Sequence, residues 1–184
     1  MIASVHRSIR KVAICAPATP LKRKHADSVL ELAQRDFPGI ELQFHEQCFE
    51  TEGHFAGADR RRLAALLECA NDPDFDAVWF AKGGYGSNRI TADFVTRANS
   101  AARKKFYLGY SDCGTLLGAL YREGIGYPVH APMPIDIKRN DGENAVRRVL
   151  TWMRGEVDGL EPPTSDRPRV AFNLYTLAML VGTK

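Results

Sequence analysis

Short apolar runs alternate with amphipathic stretches along most of the chain. Runs of strand length lie near residues 11–17, 40–46, 75–82, 105–110 and 127–132. Between them, apolar residues recur every three or four positions, which is typical of helices packed by one face. These stretches cover residues 25–37, 57–71, 88–98 and 143–155, with a further one after residue 111. Regular alternation of strand and helix predicts an α/β fold, an open parallel sheet with helices on both faces.

The helix predicted over residues 57–71 carries three consecutive arginines at positions 60–62. Helical spacing turns Leu63, Leu66 and Leu67 toward the sheet, so we expect the arginines to face solvent. The net charge is only +3, and the basic residues form short runs without interleaved aromatic residues. Such runs are typical of a solvated surface, and we expect no nucleic-acid partner.

Composition places the chain among ordinary soluble globular proteins, with 45% hydrophobic and 26% charged residues. The four cysteines include no C-x-x-C pair, so we expect neither a disulfide framework nor a zinc site. No signal peptide is recognisable, and no apolar run reaches the roughly 20 residues that span a bilayer. We therefore expect a cytoplasmic protein without a membrane partner.

The composition changes after residue 155, where a stretch rich in proline and acidic residues begins. This stretch predicts a linker over residues 156–168, after an α/β domain over residues 1–155. The remaining residues 169–184 are apolar and could form one helix, but they are too few for a domain. Either they pack back on the first domain, or they are the first segment of an otherwise absent second domain.

Two loops of unusual composition follow neighbouring strands, "KGGYGSN" from Lys82 and "GYSDCG" from Gly109. In open parallel sheets, ligands bind outside the carboxyl ends of the strands, so both loops are expected at one rim. In the second loop, Ser111 stands between small residues at minus two and plus two, which suits a nucleophile at a sharp strand-to-helix turn. The alternative is that Ser111 or Asp112 only caps the helix.

The glycines of the first loop, Gly83, Gly84 and Gly86, would let backbone amides approach a substrate closely. One of these amides could donate to an oxyanion hole. The alternative, a glycine-rich turn that binds no ligand, remains open. The loop matches neither of two phosphate-binding motifs, G-x-G-x-x-G and the Walker loop. His130 ends the last predicted strand and is a candidate base for Ser111.

Several motifs in series resemble the LD-carboxypeptidases, the serine peptidases of peptidoglycan recycling. They are "VAICAPATP", the stretch "HFAGADRRRLAALLECANDPDFDAVWFAKGGYGSNRI", "YLGYSDCGTLL", "HAPM" and "FNLYTLAMLVGT". Their order and approximate spacing match that family, whose relatives include the microcin self-immunity proteins. The resemblance implies a flavodoxin-like or class I glutaminase-like domain that bears the nucleophile, followed by a β-rich C-terminal domain.

The resemblance also implies roles for individual residues. Ser111 would be the nucleophile, and the backbone N–H groups of Asp112 and Gly84 would form the oxyanion hole. Lys82, Gly83 and Tyr85 would bind the substrate. That substrate is a murein tetrapeptide, from which the terminal D-alanine is cut, and the family uses no metal or organic cofactor. Homodimers are common among its members.

Two departures from the family are visible in the sequence. Lys82 stands where the family usually has arginine, which weakens bidentate recognition of a carboxylate. The family's catalytic glutamate and histidine lie beyond the segment at residues 172–183, so we expect an incomplete triad here. Two alternatives to the peptidase therefore stay open: a non-catalytic module that binds peptide or muropeptide, and a microcin-immunity-like serine peptidase.

Overall fold

A five-stranded parallel sheet forms the centre of the protein. The computed structural model describes residues 8–156 and 170–182. The strands are β1 (Lys11–Cys15), β2 (Glu41–Phe44), β3 (Ala77–Phe80), β4 (Phe106–Gly109) and β5 (Tyr127–His130). Their order across the sheet is β2-β1-β3-β4-β5. This order is flavodoxin-like and confirms the predicted open parallel sheet.

The central strands are apolar because helices cover both faces of the sheet. All four residues of β3 are buried, and Ile14 of β1 pairs with Trp79 of β3. The indole N–H of Trp79 donates to the carbonyl of Pro132 at 2.8 Å, so this large side chain is buried without an unpaired donor. The edge strand β2 instead alternates exposed and half-buried residues, as expected for a strand with one neighbour.

Helices pack in two groups against the sheet. The α-helices are α1 (Arg23–Asp36), α2 (Asp59–Asn71), α3 (Asn88–Arg97), α4 (Gly114–Arg122), α5 (Gly142–Met153) and α6 (Leu174–Leu180). Helix α1 contacts α5, whereas α3 lies between α2 and α4. A 3₁₀ helix, Pro134–Lys138, packs against both α1 and α5. No helix in the described ranges is long and apolar enough to cross a membrane.

The strand order reverses between β1 and β3, and this switch point is where ligands bind in such sheets. The loop after β1 and the loop after β3 meet there, since the hydroxyl of Thr19 donates to the carbonyl of Gly83. The loop after β4, which carries Ser111, lies beside them. The topology thus brings the candidate site residues to one edge of the sheet.

The C-terminal segment lies against α4. The ring of Phe172 packs on this helix, where a Cβ on Gly118 would come within 2.9 Å of the ring. Leu174 and Tyr175 of α6 remain 83% and 75% exposed. The predicted linker at residues 156–168 falls almost entirely outside the described residues, and the division into two domains stays a prediction.

All four cysteines are free and buried. A hydrogen bond with Cys69, together with burial, raises the pKa of the Cys15 thiol. Burial raises the pKa of the Cys48 and Cys113 thiols. Within the described ranges, no three His, Cys, Asp or Glu side chains are grouped so that they could hold a metal ion.

Candidate active site

Ser111 occupies a sharp turn between β4 and α4. Its φ of 60° lies in the left-handed region, and no other non-glycine residue in the described ranges has a positive φ. Such a conformation costs about 1–3 kcal/mol and tends to occur at functional sites. A short 3₁₀ turn, Ser111–Cys113, leads from here directly into α4. This is the strand–turn–helix setting in which a nucleophilic serine is exposed above a sheet.

The structure does not support the alternative that Ser111 is a helix cap. No side chain caps the N-terminus of the 3₁₀ turn or of α4. The carboxylate of Asp112 instead accepts the Ser87 N–H at 2.8 Å, across the two loops. The Ser111 hydroxyl therefore makes no capping hydrogen bond and is available for another role.

Glycines let the neighbouring backbone approach the serine. A Cβ on Gly83 would lie 3.1 Å from the Cβ and 3.2 Å from the Oγ of Ser111. The same Cβ would lie 3.5 Å from the backbone nitrogen of Asp112. On the strand side, a Cβ on Gly109 would lie 2.8 Å from the ring of Phe80. The expectation that the glycine-rich loop and the serine corner are neighbours is thus confirmed.

The peptide between Gly83 and Gly84 has a fixed orientation. Its carbonyl accepts the Thr19 hydroxyl, and because the peptide is trans, the Gly84 N–H points away from Thr19. Gly84 has a φ of 119°, which residues with a side chain rarely adopt. A backbone donor held in this way suits an oxyanion hole, although that role for Gly84 stays a prediction.

Replacement of Gly84 by alanine is expected to destabilise the fold by at least about 2 kcal/mol, since strain and a clash combine. The new Cβ would lie 2.4 Å from the Cγ2 of Thr19. Gly124→Ala is the matched control because Gly124 has a φ of 61° with nothing within 4 Å of its Cβ position. Urea denaturation measures the free energy of unfolding of both variants. Equal losses of stability in Gly84→Ala and Gly124→Ala would contradict the clash with Thr19.

A buried hydrogen-bond network joins the two loops. The Ser87 hydroxyl donates to the Asp112 carbonyl at 2.7 Å and lies 2.7 Å from the Thr115 hydroxyl. Thr115 also bonds the same carbonyl, at 2.6 Å. Together with the bond from the Ser87 N–H to the Asp112 carboxylate, these contacts fix the start of α4 to the end of the glycine-rich loop. The Asp112 N–H, the second predicted oxyanion donor, is thereby held in place.

Arg62 is completely buried, which corrects the expectation that the arginines of α2 face solvent. Its guanidinium donates to the carbonyls of Pro17, Gly57 and Gly86 and pairs with Asp59. The helical period explains the error, because position 62 lies one turn before Leu66 and so shares its inward face. Arg62 therefore connects three loops at the rim that carries the site.

The predicted substrate-binding residues lie along the same loop. Tyr85 is 39% exposed, and its ring centroid lies 6.1 Å from those of His54 and Phe55. Lys82 donates to the carbonyl of Pro20 at 3.1 Å. The Tyr85 ring is therefore partly accessible to a ligand, whereas the Lys82 ammonium is turned toward the loop after β1.

Tyr110 precedes the serine and is tied to the 3₁₀ helix behind the site. Its hydroxyl donates to Asp136 at 2.9 Å and accepts from Arg139 at 3.0 Å. Burial, followed by the bond to Asp136, raises the pKa of Tyr110 from 10.0 to about 12. Asp136 is buried and also accepts the Met133 N–H at 2.8 Å.

The raised pKa of Tyr110 predicts a loss of stability at high pH. An unfolded tyrosine loses its proton near pH 10, whereas folded Tyr110 keeps it to about pH 12. Between these values the folded state binds more protons, so the free energy of unfolding falls as pH rises. Urea denaturation from about pH 9 to about pH 12 should show a shallower fall for Tyr110→Phe. Equal pH dependence of the free energy of unfolding in the wild type and in Tyr110→Phe would contradict the raised pKa of Tyr110.

His130 ends β5 and pairs with Gly109 in the sheet register. Its ring makes an edge contact with Tyr110, with centroids 5.9 Å apart. Among the hydrogen bonds of the described residues, none joins His130 to Ser111. The histidine is therefore a neighbour of the corner, and the structure gives no support to its role as the base.

Sequence reasoning missed the residues that hold the loops, namely Thr19, Arg62, Ser87 and Thr115. All four are buried polar side chains. The position of Arg62 in the helical period was an available signal. Thr19, Ser87 and Thr115 gave none, because their partners are brought near only by the fold.

Comparison with known proteins gives consistent results. Residues 12–131 match the family described as LD-carboxypeptidase N-terminal domain. The murein tetrapeptide carboxypeptidase of Pseudomonas aeruginosa is 27% identical over 191 aligned positions, which cover 94% of this chain and 61% of that protein. The probable murein peptide carboxypeptidase of Bacillus subtilis is 34% identical, over 66% of this chain and 37% of that protein. The chain thus spans less than two thirds of the length of these relatives.

Solved structures agree on the fold. The apo microcin C7 self-immunity protein MccF superposes with a TM-score of 0.71 at 16% identity, covering 96% of this chain and 64% of that one. A muramoyltetrapeptide carboxypeptidase from Oxalobacter formigenes gives a TM-score of 0.63 at 24% identity, over 77% of this chain and 47% of that one. Together with the family match over residues 12–131, this confirms the resemblance seen in the sequence. The chain belongs to the LD-carboxypeptidase family, peptidase family S66.

Proposed function

We infer that this chain carries the nucleophile of a serine-type LD-carboxypeptidase that releases the terminal D-alanine from murein tetrapeptide. The observation that carries the proposal is the left-handed serine corner, with φ of 60° and glycine backbone packed against it. Membership of the family and the name of the Pseudomonas aeruginosa relative support the reaction and the substrate.

The proposed reaction is acyl transfer. Ser111 Oγ attacks the carbonyl carbon of the scissile amide, and the hydroxyl proton passes to a general base. The N–H groups of Gly84 and Asp112 donate to the oxygen that becomes negative. The carbon–nitrogen bond then breaks, and D-alanine leaves as the amine after it accepts a proton. Water finally hydrolyses the ester and restores Ser111.

The general base is the part of this mechanism for which the described residues offer no candidate. No described side chain is hydrogen-bonded to the Ser111 hydroxyl. The family resemblance assigns the base to a glutamate and a histidine of a C-terminal domain. Substrate contacts would come from Lys82, Gly83 and Tyr85. A homodimer, a cytoplasmic location and a role in peptidoglycan recycling also belong to this proposal.

A second candidate is a non-catalytic module that binds muropeptide. It is favoured by the observation in the preceding paragraph: the Ser111 hydroxyl has no hydrogen-bond partner among the described side chains that could remove its proton. Without its general base, a catalytic serine reacts several powers of ten more slowly. Binding without cleavage is the result that would distinguish this function from the peptidase.

The test is incubation of the 184-residue protein with murein tetrapeptide, with D-alanine measured by mass spectrometry. Ser111→Ala is the control, and calorimetry measures binding of the same peptide in parallel. Release that depends on Ser111 supports the peptidase and requires a base within these residues. Binding with no release supports the binding module for this chain. Release that persists in Ser111→Ala would show that Ser111 is not the nucleophile.

A further inference from the structure

Both residues that flank Ser111 are anchored by side-chain hydrogen bonds, each to a different part of the fold. On the C-terminal side, the carboxylate of Asp112 accepts the Ser87 N–H at 2.8 Å. On the N-terminal side, the hydroxyl of Tyr110 donates to Asp136 at 2.9 Å. Ser111 itself has a φ of 60°, which is costly for a residue with a side chain. The strained residue therefore lies between two fixed neighbours.

Asp136 is a firm anchor for Tyr110. Its side chain is buried, and its second carboxylate oxygen accepts the Met133 N–H at 2.8 Å. The 3₁₀ helix that carries Asp136 is joined to the end of β3, because the N–H of Ile135 donates to the carbonyl of Ala81 at 3.1 Å. The Tyr110 hydroxyl is thus bound to a group that is itself fixed to the sheet.

Relaxation of Ser111 would require Tyr110 to move. The φ of Ser111 and the ψ of Tyr110 describe rotation of the same planar peptide about its two ends. Tyr110 has a φ of −160° and a ψ of −168°, in the extended region. If the peptide rotated until Ser111 had a negative φ, the ψ of Tyr110 would enter the helical or bridge region, which requires a φ near about −90°. Such a change in the φ of Tyr110 turns its side chain away from Asp136.

The same rotation would displace the serine hydroxyl. A Cβ on Gly83 would lie 3.2 Å from the Oγ of Ser111, so the hydroxyl lies directly beside the glycine-rich loop. Rotation of the peptide before Ser111 changes the direction of its Cα–Cβ bond and moves Oγ relative to this loop. A misplacement of about 1 Å can slow a reaction about a hundredfold.

We propose that Tyr110 is a positioning residue for Ser111, and that its hydrogen bond to Asp136 holds the serine in its left-handed conformation. The role of Ser111 as nucleophile rests on the proposed function, whereas the conformational role of Tyr110 rests on the hydrogen bonds and the backbone angles. Removal of the bond to Asp136 lets Ser111 relax and moves its hydroxyl.

A double-mutant cycle of Tyr110→Phe and Ser111→Gly tests the conformational role by urea denaturation. In the Ser111→Gly protein there is no strain to release, so loss of the bond to Asp136 should raise the equilibrium constant of unfolding about tenfold or more. In the wild type, relaxation of Ser111 offsets part of this loss, so the rise should be smaller by at least about threefold. Asp136 keeps its contacts with Met133 and Arg139 in both proteins.

Tyr107→Phe is the matched control. Tyr107 lies in β4, three positions before Tyr110, and its hydroxyl donates to the carbonyl of Ala102 at 2.9 Å. Its effect should be additive with that of Ser111→Gly, because it leaves the bond between Tyr110 and Asp136 intact. Equal effects of Tyr110→Phe in the wild type and in Ser111→Gly would overturn the inference.

Nuclear magnetic resonance gives the backbone conformation of Ser111 directly. The chemical shifts of its Cα and Cβ atoms should change in Tyr110→Phe and should match the wild type in Tyr107→Phe. Wild-type shifts of Ser111 in Tyr110→Phe would show that the surrounding packing alone holds the conformation, and the inference would be wrong.

A kinetic measurement separates this inference from the proposed function. In release of D-alanine that depends on Ser111, Tyr110→Phe should lower kcat about tenfold or more and leave KM unchanged, because the hydroxyl moves but the glycine-rich loop does not. An unchanged kcat would contradict the positioning role. Release that persists in Ser111→Ala would contradict the proposed function instead, and the stability cycle would then decide the conformational role of Tyr110 by itself.

Discussion

Replacement of Ser111 by glycine is expected to abolish turnover in the active enzyme and, at the same time, to stabilise the fold. If Ser111 is the nucleophile, as proposed, its loss should lower the rate of the proposed D-alanine release by at least about a thousandfold. The same change relieves the left-handed backbone, because glycine adopts a φ of 60° without a Cβ clash. The expected gain is about 1 kcal/mol, after allowance for the greater entropy of glycine in the unfolded chain.

Ser111→Ala is the matched variant for this prediction. It also lacks the hydroxyl, but it keeps a Cβ in the left-handed conformation. The difference in urea midpoint between the glycine and alanine variants therefore measures the backbone strain, less the cost of the greater entropy of glycine in the unfolded chain. A glycine variant no more stable than the alanine variant would contradict strain at this corner. Activity retained in either variant would show that Ser111 is not the nucleophile.

Replacement of Arg62 by methionine is expected to destabilise the fold by about 3 kcal/mol or more. Methionine fills part of the volume but donates no hydrogen bond. The carbonyls of Pro17, Gly57 and Gly86 would lose their common donor in a place where the Arg62 side chain is 0% exposed. Each unsatisfied buried acceptor costs about 1–3 kcal/mol.

Arg61→Met is the control for this change. Arg61 is the adjacent residue, its side chain is 41% exposed, and it pairs with Glu50. A surface pair of this kind contributes at most about 1 kcal/mol. Equal urea midpoints for the two variants would contradict the structural role of Arg62. Hydrogen exchange adds a local measurement, since amides of residues 83–87 should exchange faster in Arg62→Met than in Arg61→Met.

The sequence was sufficient to predict the sheet and the rim of the site, because both depend on local patterns. Apolar runs such as the one through Trp79 mark buried strands, and glycines beside Ser111 mark a sharp turn. The resemblance then supplied the proposed roles of Ser111 and Gly84. The left-handed φ of Ser111 could not be predicted, since serine adopts this conformation rarely and the surrounding packing imposes it.

The contacts that hold the site together could not be predicted, because they join residues far apart in the chain. Tyr110 and Asp136 are 26 positions apart, and Asp136 gave no sign of its role in the sequence. Arg62 and Gly86 are 24 positions apart. A long cationic side chain is normally solvated, and Arg62 is buried only because the fold brings carbonyls of three loops around it.

Because the four cysteines are buried, their reaction with thiol reagents can be used to detect transient opening of the structure. Thiol reagents react with the thiolate, and burial shields Cys15, Cys48 and Cys113 from them. The hydrogen bond with Cys69 and burial raise the pKa of Cys15, and burial raises the pKa of Cys48 and Cys113. Modification therefore requires a transient opening of the surrounding structure. Cys15 lies in the central strand β1, whereas Cys113 lies two residues after Ser111. The relative labelling rates of these two thiols would compare motion of the turn at Ser111 with unfolding of the whole sheet.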